Sequence, residues 1–426
     1  MSLEQYSADM KRCIRCSYCK WVILSQIKSW RFARGCPSEA FTKIHTYSAS
    51  GKMGVSLALL EGRFNYSSEG LLDIAYKCQL CGSCDVACKV CRYFMEPLEM
   101  MRELRARLVE EGQLVPEHMF TIDGLRAEDN MMSKTKGERG NWIQGCDVKS
   151  LAGEKGPVLF HAGCRLSFDE ELSPTARKAL EILKKAGVEV GVMGKDETCC
   201  GGRAYDLGYR GEFTKYAEHN TEAWRSAGVK TVVTCCSDCY YAFKVLYAKY
   251  GLRKNVEVLH VTEFLERLVA EGKIKFARKL PMKVTYHDPC HLGRLAEDYA
   301  PWNGKEKKIK GQIVTWEPKR PIRRGANGIY ETPRSLLRSI PGIELVEMER
   351  TREYAWCCGA AGGAKEAYPD FALWTAKERI EEAQSTGADA LVTACPWCER
   401  NFLDAVPSSG SNTAIYDIVD LVGQAM

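Results

Sequence analysis

Ten cysteines follow one pattern written twice: Cys164, the adjacent pair Cys199-Cys200 and Cys236-x2-Cys239, then Cys290, the pair Cys357-Cys358 and Cys395-x2-Cys398. Each group falls where a short apolar run gives way to loop residues. In the first copy PVLFHAGC ends at Cys164, SPTARKALEILKKAG has helical spacing and a closing glycine, VEVGVM runs toward Cys199-Cys200, and KTVVTCCSDC ends at Cys236 and Cys239. The second copy keeps the order: MKVTYHDPC, TPRSLLRSIPG, IELVEM toward Cys357-Cys358, and ADALVTACPWC. VVTCCSDC and LVTACPWC align with Cys236 over Cys395, which leaves Cys235 outside the pattern. Strands alternating with amphipathic helices build β/α layers with parallel strands. In such sheets ligands gather at the carboxyl ends of the strands. The pattern therefore predicts two Rossmann-like halves related by a pseudo-two-fold axis, residues 157–280 and 281–426, each with a thiol cluster near the shared interface.

Composition narrows what the thiols are for. The chain has 426 residues, 45% of them hydrophobic, so it can bury ordinary cores without crosslinks. Its 21 cysteines are an odd number and no charged-then-apolar leader opens the sequence, which argues against a secreted disulfide scaffold. No apolar run is long enough to span a bilayer, and the expected location is cytoplasmic. A net charge of +5, with acids mixed among the bases, gives no case for nucleic acid.

Residues 1–110 carry a different arrangement: Cys13-x2-Cys16-x2-Cys19 with Cys36 later, then Cys78-x2-Cys81-x2-Cys84-x3-Cys88. A CxxCxxC triplet presents three thiolates from one tight loop to three irons of a cubane, and the fourth cysteine of each run reaches across to the other cluster. By that rule Cys13, Cys16, Cys19 and Cys88 hold one [4Fe-4S] centre, and Cys78, Cys81, Cys84 and Cys36 the other. Zinc is the competing reading, although zinc knuckles use pairs rather than triplets. Two features depart from common spacing. Sixteen residues, KWVILSQIKSWRFARG, separate Cys19 from Cys36, and Cys88 is followed by Lys89 where proline is usual. Cys91 is an alternate ligand or an idle buried thiol, and Cys146 has no assigned role. A helix is expected over residues 96–108, followed by a polar surface linker over residues 111–156.

Each copy of the C-terminal pattern offers five thiolates, one more than a cubane needs. Adjacent cysteines cannot easily serve two corners of one cubane, because the short backbone link holds their sulfurs together; they can bridge irons of a less symmetric core. Gly201-Gly202 and Gly359 behind them allow close backbone approach and supply unhindered N–H donors. These ten cysteines resemble the two CCG motifs of the catalytic subunit of heterodisulfide reductases, and the N-terminal region resembles their two-cluster ferredoxin subunit. The chain is similar to the fused, D-type form. The resemblance implies a small, mainly α, ferredoxin-like domain joined to an α/β region of two CCG halves. It also implies two cubane and two noncubane [4Fe-4S] clusters, the latter held by Cys164, Cys199, Cys200, Cys236 and Cys239 and by Cys290, Cys357, Cys358, Cys395 and Cys398.

The same resemblance implies that electrons enter through the cubanes and reach the noncubane pair, where a disulfide is split by one-electron steps. The implied partners are a flavin-bearing A-type protein and other redox components of an anaerobic, electron-bifurcating complex, with a ferredoxin, a disulfide or an acyl-CoA enzyme as further candidates. His161, His287 and His291 flank the first cysteine of each motif and are candidates to donate a proton, to hydrogen-bond a cluster sulfur, or simply to fill the interface. The stretch 295–328 lengthens the second motif and carries Lys305, Lys307, Lys308, Lys310, Lys319, Arg320, Arg323 and Arg324 against Glu306 and Glu317. It reads as a docking loop for an acidic partner or a phosphate-bearing substrate, or as a solvated loop. Asp288, Arg165 and Arg294 beside the cluster cysteines are candidates for counter-charge or substrate binding, and Tyr205 and Trp397 for excluding water. Rival functions are a relay in class II benzoyl-CoA reductase complexes, a soluble partner of a membrane quinone or haem protein, and a zinc-rich interaction protein.

Overall fold

The computed structural model describes residues 2–91, 95–300, 302–310 and 313–426, and the side chain of Cys91 lies outside the described residues. In chain order the strands are β1 (Lys149–Ser150), β2 (Val158–His161), β3 (Val190–Val192), β4 (Thr231–Thr234), β5 (Glu257–His260), β6 (Met282–Tyr286), β7 (Lys305–Ile309), β8 (Ile313–Glu317), β9 (Ile343–Val346), β10 (Ala390–Thr393) and β11 (Ala414–Asp417). The first sheet is ordered β1-β3-β2-β4-β5 and the second β11-β10-β6-β9, with every neighbouring pair in both parallel.

Numbered within its own half, each sheet reads second-first-third-fourth, and β1 extends the first sheet at one edge. The fourth strands, β5 and β11, are elements that the cysteine pattern does not mark. Central strands of a sheet covered on both faces are apolar throughout. Val232 and Val233 in β4 and Leu391 and Val392 in β10 are fully buried accordingly. Helices Ser173–Lys185, Arg210–Ser226 and Val261–Ala270 belong to the first half, and Glu331–Ser339, Pro369–Gln384, Pro396–Ala405 and Ile418–Ala425 to the second.

The N-terminal region is helical, with Ala49–Leu60, Leu71–Tyr76, Ser83–Cys91 and Pro97–Glu110 among its α-helices and one isolated antiparallel bridge between Trp21 and Arg34. The expected helix after Glu96 forms with Pro97 in its first turn, where the missing N–H costs nothing. It is more deeply buried than an amphipathic surface helix: Arg102 and Arg105 are buried along with Met101, Leu104 and Leu108. Those apolar side chains join the same continuous core as Leu166, Leu183 and Val233 of the first sheet half.

Residues 111–156, which read from sequence as a polar linker, are ordered against this core. They form the helix Pro116–Glu128, a 3-10 stretch Lys136–Ile143 and strand β1. Pro116 starts the helix, Ile122 and Leu125 are buried, and Trp142 packs on Phe160 with ring centroids 5.9 Å apart. The basic stretch 295–328 contains an antiparallel hairpin, β7 with β8.

Candidate metal centres

The Cys13–Cys19 segment turns tightly because Arg15 and Ser17 both have positive φ. The sixteen residues after Cys19 double back on themselves: the amides of Gly35 and Cys36 donate to the Lys20 carbonyl at 2.8 and 3.2 Å. A long insertion therefore still delivers Cys36 to the site, directly before the helix Pro37–Thr42. In the second run Leu80 and Gly82 have positive φ, and Cys84 and Cys88 lie one turn apart on the helix Ser83–Cys91. Cys88 is within electrostatic reach of Cys19, Cys13 and Cys16. Cys84 is within reach of Cys36, Cys81 and Cys78. A hollow is lined by Cys36, Cys78, Cys81 and Cys84 together with Pro37, Gln79 and Met101. The structure thus brings Cys13, Cys16, Cys19 and Cys88 together in one place and Cys36, Cys78, Cys81 and Cys84 in another.

The ten cysteines of the repeated pattern are all buried and lie in the segments that follow the carboxyl ends of β2, β3, β4, β6, β9 and β10. Their thiols touch in sequence. Cys164 contacts Cys199, Cys199 contacts Cys200, Cys200 contacts Cys239 and Cys239 contacts Cys236. In the second half Cys290 contacts Cys357, Cys357 contacts Cys358, Cys358 contacts Cys398 and Cys398 contacts Cys395. Two further contacts join the groups: Cys236 meets Cys395 across the halves, and Cys357 meets Cys81 of the N-terminal region.

Glycine is required behind each adjacent pair. Gly201 and Gly359 have φ of +74° and +96°, and their amides donate to Cys199 and Cys357 Sγ at 3.4 and 3.3 Å. An asparagine holds each pair from the other side: Asn220 Nδ2 donates to the Cys199 carbonyl at 2.9 Å, and Asn401 Nδ2 to the Cys358 carbonyl at 2.7 Å. A second hollow is lined by Cys290, Cys358, Cys395 and Cys398 with Asp238, His291 and Trp397. Closely gathered, deeply buried sulfurs with N–H donors aimed at them, and no disulfide joining them, fit a soft-metal sulfide core.

Charged side chains surround the sulfurs unequally. In the first half Arg139 is fully buried, with Nη2 and Nη1 at 3.6 and 3.8 Å from Cys164 Sγ. Glu197 holds it at 3.0 Å and also accepts the amides of Ala162 and Gly163, each at 2.9 Å. His161 lies 3.5 Å from Glu197, and burial lowers its pKa to about 4. In the second half His287 is the ring that reaches sulfur: it forms a group with Cys358 and Cys398 whose ligand atoms all lie within 4.8 Å of one another. Arg379 Nε donates to its Nδ1 at 3.1 Å, and Glu382 fixes Arg379. Burial lowers the His287 pKa as well. His291 behaves oppositely. Burial alone would lower it, but Asp238 at 2.7 Å, Cys290 and Asp206 outweigh that and hold it at about 10.

Arg165, expected to bind substrate or partner, pairs with Asp169 at 3.2 Å and stacks on Trp397 at 4.1 Å. Arg203 stacks on the same indole at 4.0 Å. Both guanidinium groups thus lie against the Trp397 ring, which lines the second hollow. Tyr205 is buried beneath Arg210 at 3.6 Å. Asp288 is buried in a two-bond pair with Arg334 at 2.6 and 2.9 Å, two residues before Cys290. Arg294 donates to the carbonyls of Cys81, Glu353 and Ala355 at 2.5, 2.9 and 2.6 Å, so it binds the N-terminal region to the second half. Arg320 lies 3.7 Å from Asp9 and 3.6 Å from Glu96, Arg323 donates to the Leu295 carbonyl at 3.1 Å, and Lys319 and Arg324 are exposed. Cys235 is buried just past the end of β4, its carbonyl 3.2 Å from His260 Nε2, and Cys146 is half-buried outside both groups.

Arg139, Arg379 and Arg105, whose Nη2 donates to the Cys78 carbonyl at 2.7 Å, have no marker in the sequence: they lie many residues from the cysteines beside them and owe their place to tertiary packing. Glu197 stands two residues before the Cys199-Cys200 pair, and proximity is the one signal that could have singled it out.

Two parallel α/β layers that present buried cysteines at their strand ends, coupled to CxxCxxC loops, define a class: iron-sulfur electron-transfer proteins of the oxidoreductases. The cysteine-rich (CCG) domain family matches residues 158–244 and 322–402. Within that class the chain belongs to the family of heterodisulfide reductase D subunits. It is 32% identical over 353 residues to the D subunit of the dihydromethanophenazine:CoB--CoM heterodisulfide reductase of Methanosarcina acetivorans, covering 81% of this chain and 77% of that one. It is also 28% identical to the EtfAB:quinone oxidoreductase of Syntrophomonas wolfei, over 81% of this chain and 46% of that protein. The B subunit of the fumarate reductase (CoM/CoB) of Methanothermobacter marburgensis is 28% identical over 84% of this chain and 62% of its own length. Cys290 falls outside the second matched segment, on the far side of the basic hairpin from Cys357. No helix among the described residues is long and apolar enough to cross a membrane.

Proposed function

We propose that the chain is the electron-transferring and disulfide-reducing member of a multi-protein complex. Cys13, Cys16, Cys19 and Cys88 would hold one cubane [4Fe-4S] cluster and Cys36, Cys78, Cys81 and Cys84 a second. Cys164, Cys199, Cys200, Cys236 and Cys239 would hold one noncubane cluster, and Cys290, Cys357, Cys358, Cys395 and Cys398 the other, in two pseudo-symmetric halves. When bound, these clusters supply one-electron redox chemistry. The observation that carries the reading is the unbroken line of thiol contacts from Cys81 through Cys357 to the Cys395–Cys236 junction and on to Cys164.

The remaining residues set the environment of that line. The amides of Gly201 and Gly359 donate to sulfur and favour its anionic form. His287, with Nδ1 taken by Arg379, has a buried Nε2 without a hydrogen-bond partner beside Cys358 and Cys398, and this N–H would donate to a sulfur of the bound cluster. His291 is held as a cation by Asp238 beside Cys290 and keeps a positive charge and a proton at the face shared by the halves. His161, paired with Glu197, orients the β2 end that carries Cys164. Trp397, in contact with Arg165 and Arg203, would help close the second hollow against water.

A flavin-bearing protein is the expected electron source and an organic heterodisulfide the expected substrate, as the name of the Methanosarcina relative gives a heterodisulfide for that protein. Likeness to the Syntrophomonas EtfAB:quinone oxidoreductase favours a second reading, in which electrons are passed onward without disulfide cleavage. Anaerobic purification followed by metal and sulfide analysis tests the first step. The expected result is roughly sixteen irons per chain, four for each of four clusters; several zinc ions and no iron would sink both readings. Turnover of an organic disulfide by dye-reduced protein separates reductase from relay.

A further inference from the structure

We propose that the hairpin of β7 and β8 and the Cys13–Cys19 loop form one docking face for an acidic electron-carrier protein. This rests on the reading above in one respect, that the Cys13 group holds a redox centre. In the sequence the insertion follows Cys290, which places it with the paired-cysteine sites. In the fold it packs on the opposite region. The Arg12 guanidinium lies over the Trp316 ring at 4.7 Å, and Arg320 reaches Asp9 at 3.7 Å and Glu96 at 3.6 Å. Glu96 also pairs with Lys89 at 2.7 Å, the residue after Cys88. The hairpin is therefore anchored to the segments that carry Cys13 and Cys88.

A two-stranded hairpin is marginal by itself, so these anchors fix which face it shows. Lys305 pairs across the ladder with Glu317 and Lys307 with Thr315. Side chains alternate along a strand, so with Trp316 turned to Arg12 the row Lys305, Lys307 and Ile309 faces away from the protein. Lys305, Lys307, Lys308 and Lys310 are all exposed. Among the described residues one carboxylate, Glu317, answers Lys307 at 3.1 Å. Exposed pairs of this kind add little stability, so the excess of positive charge has no structural use. Lysines on an edge also discourage strand addition. That role needs one or two of them, and it does not explain the apolar neighbours: Ile14 and Ile309 are 63% and 42% exposed. Among the described cysteines Cys16 alone is exposed, and it lies in the same loop as Ile14. An accessible redox loop with apolar contacts and a cationic rim is complementary to a carrier whose cofactor is ringed by carboxylates, and such complementarity acts mainly on the rate of encounter.

The test uses the anaerobically purified, cluster-loaded protein and a purified acidic [2Fe-2S] ferredoxin as probe, in stopped flow. For the wild type the rate of reduction by the ferredoxin is expected to fall steeply with ionic strength. A variant combining Lys305→Glu, Lys307→Glu, Lys308→Glu and Lys310→Glu is expected to lose at least tenfold at low salt, roughly the scale of electrostatic steering, while reduction by the small methyl viologen radical stays as fast as before. The corresponding Lys→Gln variant is expected to fall between the two. A wild-type rate indifferent to salt, or a Lys→Gln variant as fast as the wild type, overturns the proposal even if the Lys→Glu chain loads its clusters badly. Calorimetric affinity for the oxidised ferredoxin separates this claim from the functional one. Lysine-dependent binding without electron passage leaves the docking face standing and removes the relay. Cluster reduction with lysine-independent binding does the reverse.

Discussion

The Arg139 guanidinium stands 3.6 Å from Cys164 Sγ, buried and braced by Glu197 at 3.0 Å. At Cys290 no guanidinium makes such a hydrogen bond among the described residues; His291 and Arg294 stand within electrostatic reach of it, and His287 lies beside Cys358 and Cys398. A fixed positive charge beside a cluster sulfur stabilises the reduced, more negative state. A hydrogen bond to a charged group contributes about 1.5–3 kcal/mol, and about 1.4 kcal/mol corresponds to 59 mV for one electron. Arg139→Gln is therefore expected to lower the potential of the centre proposed at Cys164 by roughly 60–120 mV, with Arg139→Lys recovering part of it. Potentiometric titration followed by electron paramagnetic resonance reads this directly. An unchanged midpoint would remove Arg139 from the electronic environment of that site.

Arg105 ties three parts of the molecule together. Its Nη1 donates to the Gly362 and Asp206 carbonyls at 2.7 and 3.1 Å, and its Nη2 to those of Cys78 and Ala75 at 2.7 and 3.0 Å. The guanidinium also lies over the Tyr76 ring at 4.6 Å. Arg105→Met keeps the stem but strands four carbonyls in a dry interior, where each unmade bond costs about 1–3 kcal/mol. The expected result is a loss of about 3–5 kcal/mol, as for a broken buried network, with the N-terminal region released first. Limited proteolysis under anaerobic conditions should then cut between residues 91 and 116; a cleavage pattern identical to the wild type would show that other contacts carry the junction.

The cysteine spacing makes much of this legible. The order strand, cysteine, helix, strand, paired cysteine foretells β2, β3 and β4 and their counterparts β6, β9 and β10, because a parallel sheet leaves its ligands at strand ends. What spacing cannot mark is what packing alone decides. β5 and β11 follow the last cysteine of each half and are invisible to a pattern read from cysteines. The segment holding Arg139 reads as a linker because its polar residues from Lys134 to Glu138 are exposed and the buried Arg139 and Trp142 make no apolar period for a pattern to record. Likewise the basic insertion follows Cys290 in the chain yet rests on Asp9 and Glu96, a contact between segments so distant in sequence that no local signal carries it.

His118 gives a pH dependence outside the cysteine groups. It is buried on Tyr76 with Nε2 at 2.9 Å from the Gly363 carbonyl, and burial lowers its pKa to about 4. The unfolded chain binds this proton near pH 6.5 while the folded one resists it to about 4. The stability it supports is complete above pH 6.5, declines as pH falls toward 4 and is then gone, a change of up to about 3 kcal/mol. The stability difference between wild type and His118→Gln, followed by denaturant titration from about pH 7.5 to about 4.5, is expected to shift by most of that amount in favour of the variant as the medium acidifies. A difference that stays constant would mean the ring titrates alike in both states.

Gly359 offers the sharpest test of the second noncubane assignment. Its φ of +96° is costly for any residue with a side chain, and a Cβ there would stand 2.3 Å from the Ala372 carbonyl oxygen and 2.8 Å from Asn401 Nδ2. Relief requires the backbone after Cys358 to move, which also withdraws the amide that donates to Cys357 Sγ at 3.3 Å. Gly201 is less crowded: its nearest atoms, from Phe213, would lie 3.3 Å from a Cβ. If the proposed clusters are present, Gly359→Ala is thus expected to fold but to lose roughly four irons per chain together with the electron paramagnetic resonance signal of the centre proposed at Cys357-Cys358, whereas Gly201→Ala should retain more of its own. Full iron content and both signals in the Gly359→Ala protein would mean that the 357–358 pair does not need this backbone to hold its cluster.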